Sequence, residues 1–183
     1  VRVPIVQAYQ HLGRLTTPDR NVMPDMKMRA GQCFSELKPI VGKCFRTKGV
    51  DVADKIRIVR CYLFSILLAG ASNWPTLSTA ETDRFHTNVM RLWRSALACH
   101  YLDLVGRHLP HLSDQELLDK YHLLAPETML ALVRINLFIR VIQKASYGLK
   151  TAIFAAWSSP KSWLRAVESD LKTIQPFIED YKA

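Results

Sequence analysis

Ser78-Thr79-Ala80-Glu81-Thr82-Asp83-Arg84-Phe85-His86-Thr87-Asn88-Val89-Met90-Arg91-Leu92-Trp93-Arg94-Ser95-Ala96 is the stretch on which the reading of this chain turns. It opens with the Ser-x-x-Glu pattern of a capping box, in which the serine hydroxyl and the glutamate carboxylate satisfy backbone N–H groups that a helix start leaves without partners. Phe85, Val89, Leu92, Trp93 and Ala96 recur at helical spacing and form one apolar stripe. Arg84, Arg91 and Arg94 share the opposite side with Thr87, and no acid accompanies them beyond the first turn. Arg84 and Arg91 lie two turns apart along one face, roughly 10 Å by helix rise. The stretch predicts an amphipathic helix with a core side and a basic side.

Upstream, Cys61 to Ala80 carries no charge, but Ser65, Ser72, Asn73, Pro75 and Thr76 interrupt it. Its apolar part, roughly 62–71, is too short to span a bilayer. A helix is expected from Asp51, a plausible N-cap with Asp54 in the first turn. Its core face would be Val52, Ile56, Val59, Leu63, Ile66 and Gly70, and past Arg60 it is apolar nearly all round, which predicts a central, buried helix. An earlier helix, about Pro24 to Phe45, places Met26, Ala30, Cys33, Phe34, Leu37, Val41, Cys44 and Phe45 in one stripe. Arg29, Glu36 and Lys43 lie on a second face with Arg46 nearby, and Pro39 predicts a kink or break near Lys38. Residues 1–18 read as extended: Val1, Val3 and Ile5 alternate with other residues, and Tyr9, Leu12 and Leu15 surround Gly13.

Downstream, a Gly/Pro-punctuated connection from Gly106 to Pro110 precedes a second capping box, Ser113-Asp114-Gln115-Glu116, which should open a short helix to about His122. Pro126 suits the first turn of a helix running to about Ser146. Leu130, Val133, Leu137 and Val141 form one apolar face of it, and Leu132, Ile135, Phe138, Ile139 and Ile142 another. A helix greasy on two sides must be sandwiched, within this chain or against a partner. Tyr147-Gly148 reads as a break, 150–157 as a short helix and Ser159-Pro160 as the start of the last helix. That helix carries Trp163, Leu164, Val167, Leu171 and Ile174, and Pro176 is expected to end it. The fold class is therefore mainly α: a helical bundle behind a short N-terminal β-hairpin or strand. The segments are expected at 1–20, 21–100 and 101–183.

The 183 residues are 49% apolar and 22% charged, an ordinary globular composition. The net charge of +9 is uneven: residues 1–98 hold 15 Lys/Arg against 7 Asp/Glu, and residues 99–183 hold 10 against 9. A basic half joined to a nearly neutral half points to a polyanion partner for the first half. The plainer alternative is a solvated surface that is merely basic. No signal-peptide pattern precedes the body, and the chain opens on Val1, so it reads as an intracellular piece of a longer polypeptide, nuclear or cytoplasmic, with no membrane partner.

Catalytic chemistry finds little footing. Four Cys cannot form a disulfide scaffold, and Cys33, Cys44 and Cys61 read as buried small thiols. Cys99-His100 with His108 and His111 has zinc-binding atoms but no paired ligand spacing. Two-metal chemistry needs carboxylates held close together, and the only adjacent acids are Glu179-Asp180. No nucleophile elbow, Walker loop or dinucleotide fingerprint occurs. The expectation is no catalytic residue, no metal and no cofactor in this chain.

Several segments taken together resemble the reverse transcriptases of non-LTR (LINE-type) retrotransposons, downstream of the catalytic palm. Tyr9-Gln10-His11-Leu12-Gly13 looks like the family's Tyr-x-x-Leu-Gly hairpin. Ser65 to Trp74, preceded by Lys55 and Tyr62, resembles its Ser-x-Leu-Leu-Tyr-Gly-x-Glu-x-Trp segment, with Ala69 for the usual Tyr and Ser72 for the usual Glu. Arg91-Leu92-Trp93-Arg94 is similar to its Arg-rich helix end. This first resemblance covers about residues 6–97. Leu112-Ser113-Asp114, Ser162-Trp163 and Asp170-Leu171 extend it more loosely into the tail. It implies a thumb-and-connection region of an RNA-directed DNA polymerase, with the hairpin left from the palm edge and Tyr9 and Gly13 near the primer end. The catalytic aspartates and their Mg²⁺ would belong to the parent polymerase, upstream of Val1.

On that reading the partners are an RNA/DNA duplex backbone and the missing palm and finger domains. Arg29, Lys43, Arg46, Lys48, Arg57, Arg84, Arg91 and Arg94 are the candidates to contact phosphates without reading bases. The competing reading is a helical protein-interaction module with no nucleic-acid role, supported by the two-sided helix at 126–146.

Overall fold

Helix α4, Thr79–Ala96, starts as its sequence dictates: Glu81 N–H donates to Ser78 Oγ at 3.4 Å and Ser78 N–H donates to Glu81 Oε2 at 2.8 Å. The computed structural model containing it describes residues 9–11, 14–17, 21–47, 49–97, 112–159 and 162–180. Glu81 also works over distance, because its Oε1 accepts the Val22 N–H at 2.9 Å and joins the starts of two helices. Phe85, Val89, Leu92, Trp93 and Ala96 are all buried, together with Asn88 and Met90.

The chain is mainly helical. Strands β1 (Tyr9–His11) and β2 (Arg14–Thr16) pair antiparallel, with Tyr9 opposite Thr16. Helix α1, Met23–Ile40, buries Met26, Ala30, Cys33 and Leu37 against α4 and α3. Pro39 does not break it near Lys38. The helix continues to Ile40 and then widens into a π turn, Val41–Phe45, closed by Arg46 N–H donating to Val41 O at 3.0 Å. Proline removes one backbone donor and crowds the preceding turn, and here the winding loosens just after it instead of ending.

Asp51 caps α2, Val52–Ile58, by accepting the Ala53 N–H. A second π turn, Val59–Leu63, leads into α3, Phe64–Leu67. This is not the central helix that its composition predicts. Val59, Leu63, Phe64 and Leu67 are buried, but Val52 is 46% exposed and Cys61, Tyr62 and Ser65 face outward. The π turn takes an extra residue per turn and so rotates the apolar stripe out of its 3.6-residue phase. Gly70, at φ 77°, supplies the left-handed backbone that turns the chain after α3.

Helix α5, Asp114–Lys120, repeats the capping box with Ser113 and Glu116. One core cluster runs from Val22 through α1, α3 and α4 to Leu117, Leu118 and Leu130. Phe64 meets Trp93 edge-on at 5.0 Å, and Trp74 meets Phe85 likewise at 6.1 Å. Each such large side chain contributes about 1.5–3 kcal/mol by leaving water.

Helix α6, Pro126–Lys144, packs on α4 and on α8, Trp163–Asp180. Arg134 and Asp170 form a buried pair at this seam, at 3.1 and 3.2 Å, while a second guanidinium nitrogen donates to Pro75 O at 3.2 Å. Three expectations fail in this half. Tyr147 and Gly148 are the first turn of α7, Tyr147–Ala155, because the Ser146 hydroxyl accepts the Leu149 N–H. Ser162, not Ser159, holds the start of α8 through Leu164 N–H at 3.2 Å. Pro176 lies inside α8, where it costs one hydrogen bond without ending the helix. No helix among the described residues is long and apolar enough to cross a membrane.

Candidate nucleic-acid interface

The basic candidates divide into those the fold turns outward and those it consumes. Arg29 is one turn from Asp25, and its Nε lies 3.7 Å from that buried carboxylate, leaving the side chain 12% exposed. Arg94 is spent too: it donates to Asp114 Oδ1 at 2.6 Å and to Leu112 O at 2.9 Å, with 12% of its side chain exposed. These two arginines fasten the core and α5. The three-residue basic stripe therefore shortens to Arg84 and Arg91.

Those two remain exposed. The Arg91 guanidinium lies over the Phe34 ring at 4.4 Å, which anchors it where α4 crosses α1 and leaves its edge for water or an anion. Arg84 lines a shallow groove with Met23, Lys27 and Thr87. Lys27, on α1, thus joins the rim, and sequence reasoning passed it over. A signal was present: Arg29 has Asp25 four residues before it, the spacing of a helical ion pair, whereas Lys27 has no acid three or four residues away. Asp83 also lines the groove and sets a limit on its positive potential.

The remaining candidates are scattered. Lys43 and Arg46 are exposed on and just past the first π turn, and Arg57 is exposed but 3.3 Å from Asp54. Tyr9 sits in β1. Its side chain, together with Gly13, Lys48, Cys99, His100, His108 and His111, lies outside the described residues.

Beside this rim is an arrangement that no spacing announced. His86 reaches Glu127 Oε1 through Nδ1 at 2.9 Å and Asp114 Oδ2 through Nε2 at 3.1 Å. It ties α4 to the first turns of α5 and α6. Partial burial pulls the imidazole pKa down, but hydrogen bonds to Glu127 and Asp114 outweigh that, so it lies above its ordinary value. Burial pushes the Asp114 carboxyl up, but Arg94 and then His86 pull it further down, so its net shift is downward.

No group of three or more His, Cys, Asp or Glu suited to a metal occurs among the described residues. Cys33 is buried, donates to Leu63 O at 3.3 Å, and has its thiol pushed by burial up to about 12. Cys44 is half-buried and Cys61 is exposed, so burial accounts for only one of the three described thiols. No family model, no curated protein and no solved structure matches this chain.

Proposed function

We propose that this chain is the thumb-and-connection part of a retrotransposon-type RNA-directed DNA polymerase, working inside the cell, whose α1–α4 face grips a template–primer duplex through its phosphates. The observation that supports it best is that Lys27 and Arg84 share one groove, with exposed Arg91 two turns further along α4 from Arg84, in the half of the chain that carries the excess charge. Such a surface attracts phosphates without reading bases. On this reading the catalytic carboxylates and their Mg²⁺ belong to a palm outside this sequence, and the chain alone extends no primer.

The test is duplex binding as a function of salt. Reversing Arg84→Glu and Arg91→Glu together should flatten the log–log salt dependence by about two units, since each neutralised phosphate releases condensed counterions. Arg57→Glu, at a position already paired with Asp54, should change it far less. A folded double variant that binds duplex with unchanged affinity and slope would reduce the rim to solvated surface.

One observation favours the competing reading of a protein-interaction module. Leu132, Ile139 and Ile142 on α6 and Tyr147, Leu149 and Phe154 on α7 are exposed apolar side chains. Duplex binding that is absent at low salt, together with concentration-dependent self-association, would favour that module over the polymerase fragment.

A further inference from the structure

A second concavity lies on the other side of the start of α1. Val22 and Asp25 face it, whereas Met23 and Lys27 face the basic groove. Leu15 of β2, Trp74, Ile153 of α7, and Trp163 and Leu164 of α8 add apolar surface to its wall. Its volume of about 340 Å³ falls within the roughly 300–1,000 Å³ usual for small-molecule sites. Two indoles and several aliphatic side chains make it mainly apolar.

The acceptor capacity left on this wall sits on Asp25, while the Ser162 hydroxyl accepts the Leu164 N–H at 3.2 Å and Asn73 is exposed at the rim. The Trp74 Nε1–H is spent on Asp25 Oδ2 at 3.2 Å, and the Trp163 Nε1–H on Ser72 O at 2.7 Å. The Thr17 hydroxyl donates to Asn21 O at 3.1 Å. Asp25, only 1% exposed, accepts one bond on each oxygen, from Leu15 N–H and from Trp74. An ionised carboxylate has about four acceptor positions, so about two remain. Arg29, 3.7 Å from Oδ1, already offsets its charge, so the wall calls for a neutral donor and not a second cation.

We propose that this cavity binds a planar heterocycle of one or two fused rings that brings a neutral N–H donor to Asp25. The rings take the place of water against the indoles and aliphatic side chains, and the N–H fills the spare acceptor capacity. Such a ring can be a free molecule or an unpaired base of a bound strand. Only the second source rests on the phosphate-gripping reading.

Benzimidazole, neutral in mildly alkaline buffer, is the probe. Of the four tryptophans, Trp74 and Trp163 line the cavity, whereas Trp93 is buried in the core beside Phe64. Titration into ¹⁵N-labelled chain should move the indole resonances of Trp74 and Trp163 and leave that of Trp93 in place. N-methylbenzimidazole, which lacks the donor, should bind about tenfold more weakly, the worth of one buried hydrogen bond. Ala156→Trp, at an exposed position on the wall, should abolish the shifts while the fold persists. No shift at millimolar benzimidazole, shifts that survive Ala156→Trp, or equal binding of the N-methyl compound would each overturn the proposal. A duplex with a one-nucleotide bulge, compared with the same duplex carrying an abasic bulge, separates the sources. Matching shifts from the first alone support a base, and shifts from benzimidazole but neither duplex support a free molecule.

Discussion

Helices α4 and α6 are almost equal in length, 18 and 19 residues, yet they are buried in different ways. In α4 the buried positions run from Phe85 to Ala96, and the exposed side is polar. In α6 they stop at Arg134, after which Ile139 and Ile142 are exposed. The more apolar helix is the less covered one. Burial follows the number of neighbours a helix has, not its greasiness. Helix α4 packs on α1, α2 and α6 and touches both π turns, whereas α6, among the described residues, packs mainly on α8, α4 and the turn at 71–73. The seam that α6 makes with α8 holds a buried charge pair beside a tilted Phe138–Trp163 ring contact at 6.3 Å, where α4 holds edge-on rings.

The sharpest way to break this comparison is to truncate one residue on each side of it. Phe85→Ala removes a fully buried ring that packs edge-on against Trp74, and should cost about 3–5 kcal/mol in urea unfolding. Ile139→Ala, on the uncovered part of α6, should cost less than about 1 kcal/mol. Comparable losses at the two sites would mean that the outer face of α6 is covered in solution.

The charge pair allows a second, somewhat smaller test. Arg134→Met leaves Asp170 buried without its partner, a change that costs about 3 kcal/mol or more. Burial pushes the Asp170 carboxyl above its ordinary range and Arg134 pulls it back, so in the variant the carboxyl moves further up. Replacing both, Arg134→Met with Asp170→Leu, should restore most of the stability, because no unpaired group remains. A double variant as unstable as the single one would assign the seam to the Arg134 bond to Pro75 O instead.

What could be seen in the residues was what four consecutive positions decide. Both capping boxes, the Asp51 cap and Pro126 in a first turn are such features, and each stands where its pattern put it. The Asp25–Arg29 pair was equally local, and reading it would have removed Arg29 from the basic rim and left Lys27 in view. Other features were out of reach for a physical reason. Arg94 meets Asp114 across 20 residues of chain, and His86 meets Glu127 across 41. Nothing near either residue foretells its partner. The π turns hide in another way: apolar residues remain present, but the phase that identifies their buried members changes midway.

The smallest expected effect belongs to the clasp between the two halves. His86 is bracketed by Asp114 and Glu127, and Arg94 shares Asp114. Its folded pKa lies above the unfolded value near 6.5. The clasp's contribution is therefore fully present below that value and is lost as pH rises through the folded pKa. Asp114 sets the acid side, since its lowered pKa gives stability above the ordinary carboxylate range that disappears as pH falls through the folded value. Unfolding midpoints should then decline as pH rises above about 6.5 through the folded pKa, modestly, because a third of the imidazole is exposed to screening solvent. His86→Asn should remove that decline while leaving the acid side governed by Arg94 and Asp114. A variant that keeps the full decline above about pH 6.5 would place the titrating group elsewhere and leave α4 and α6 joined by apolar packing alone.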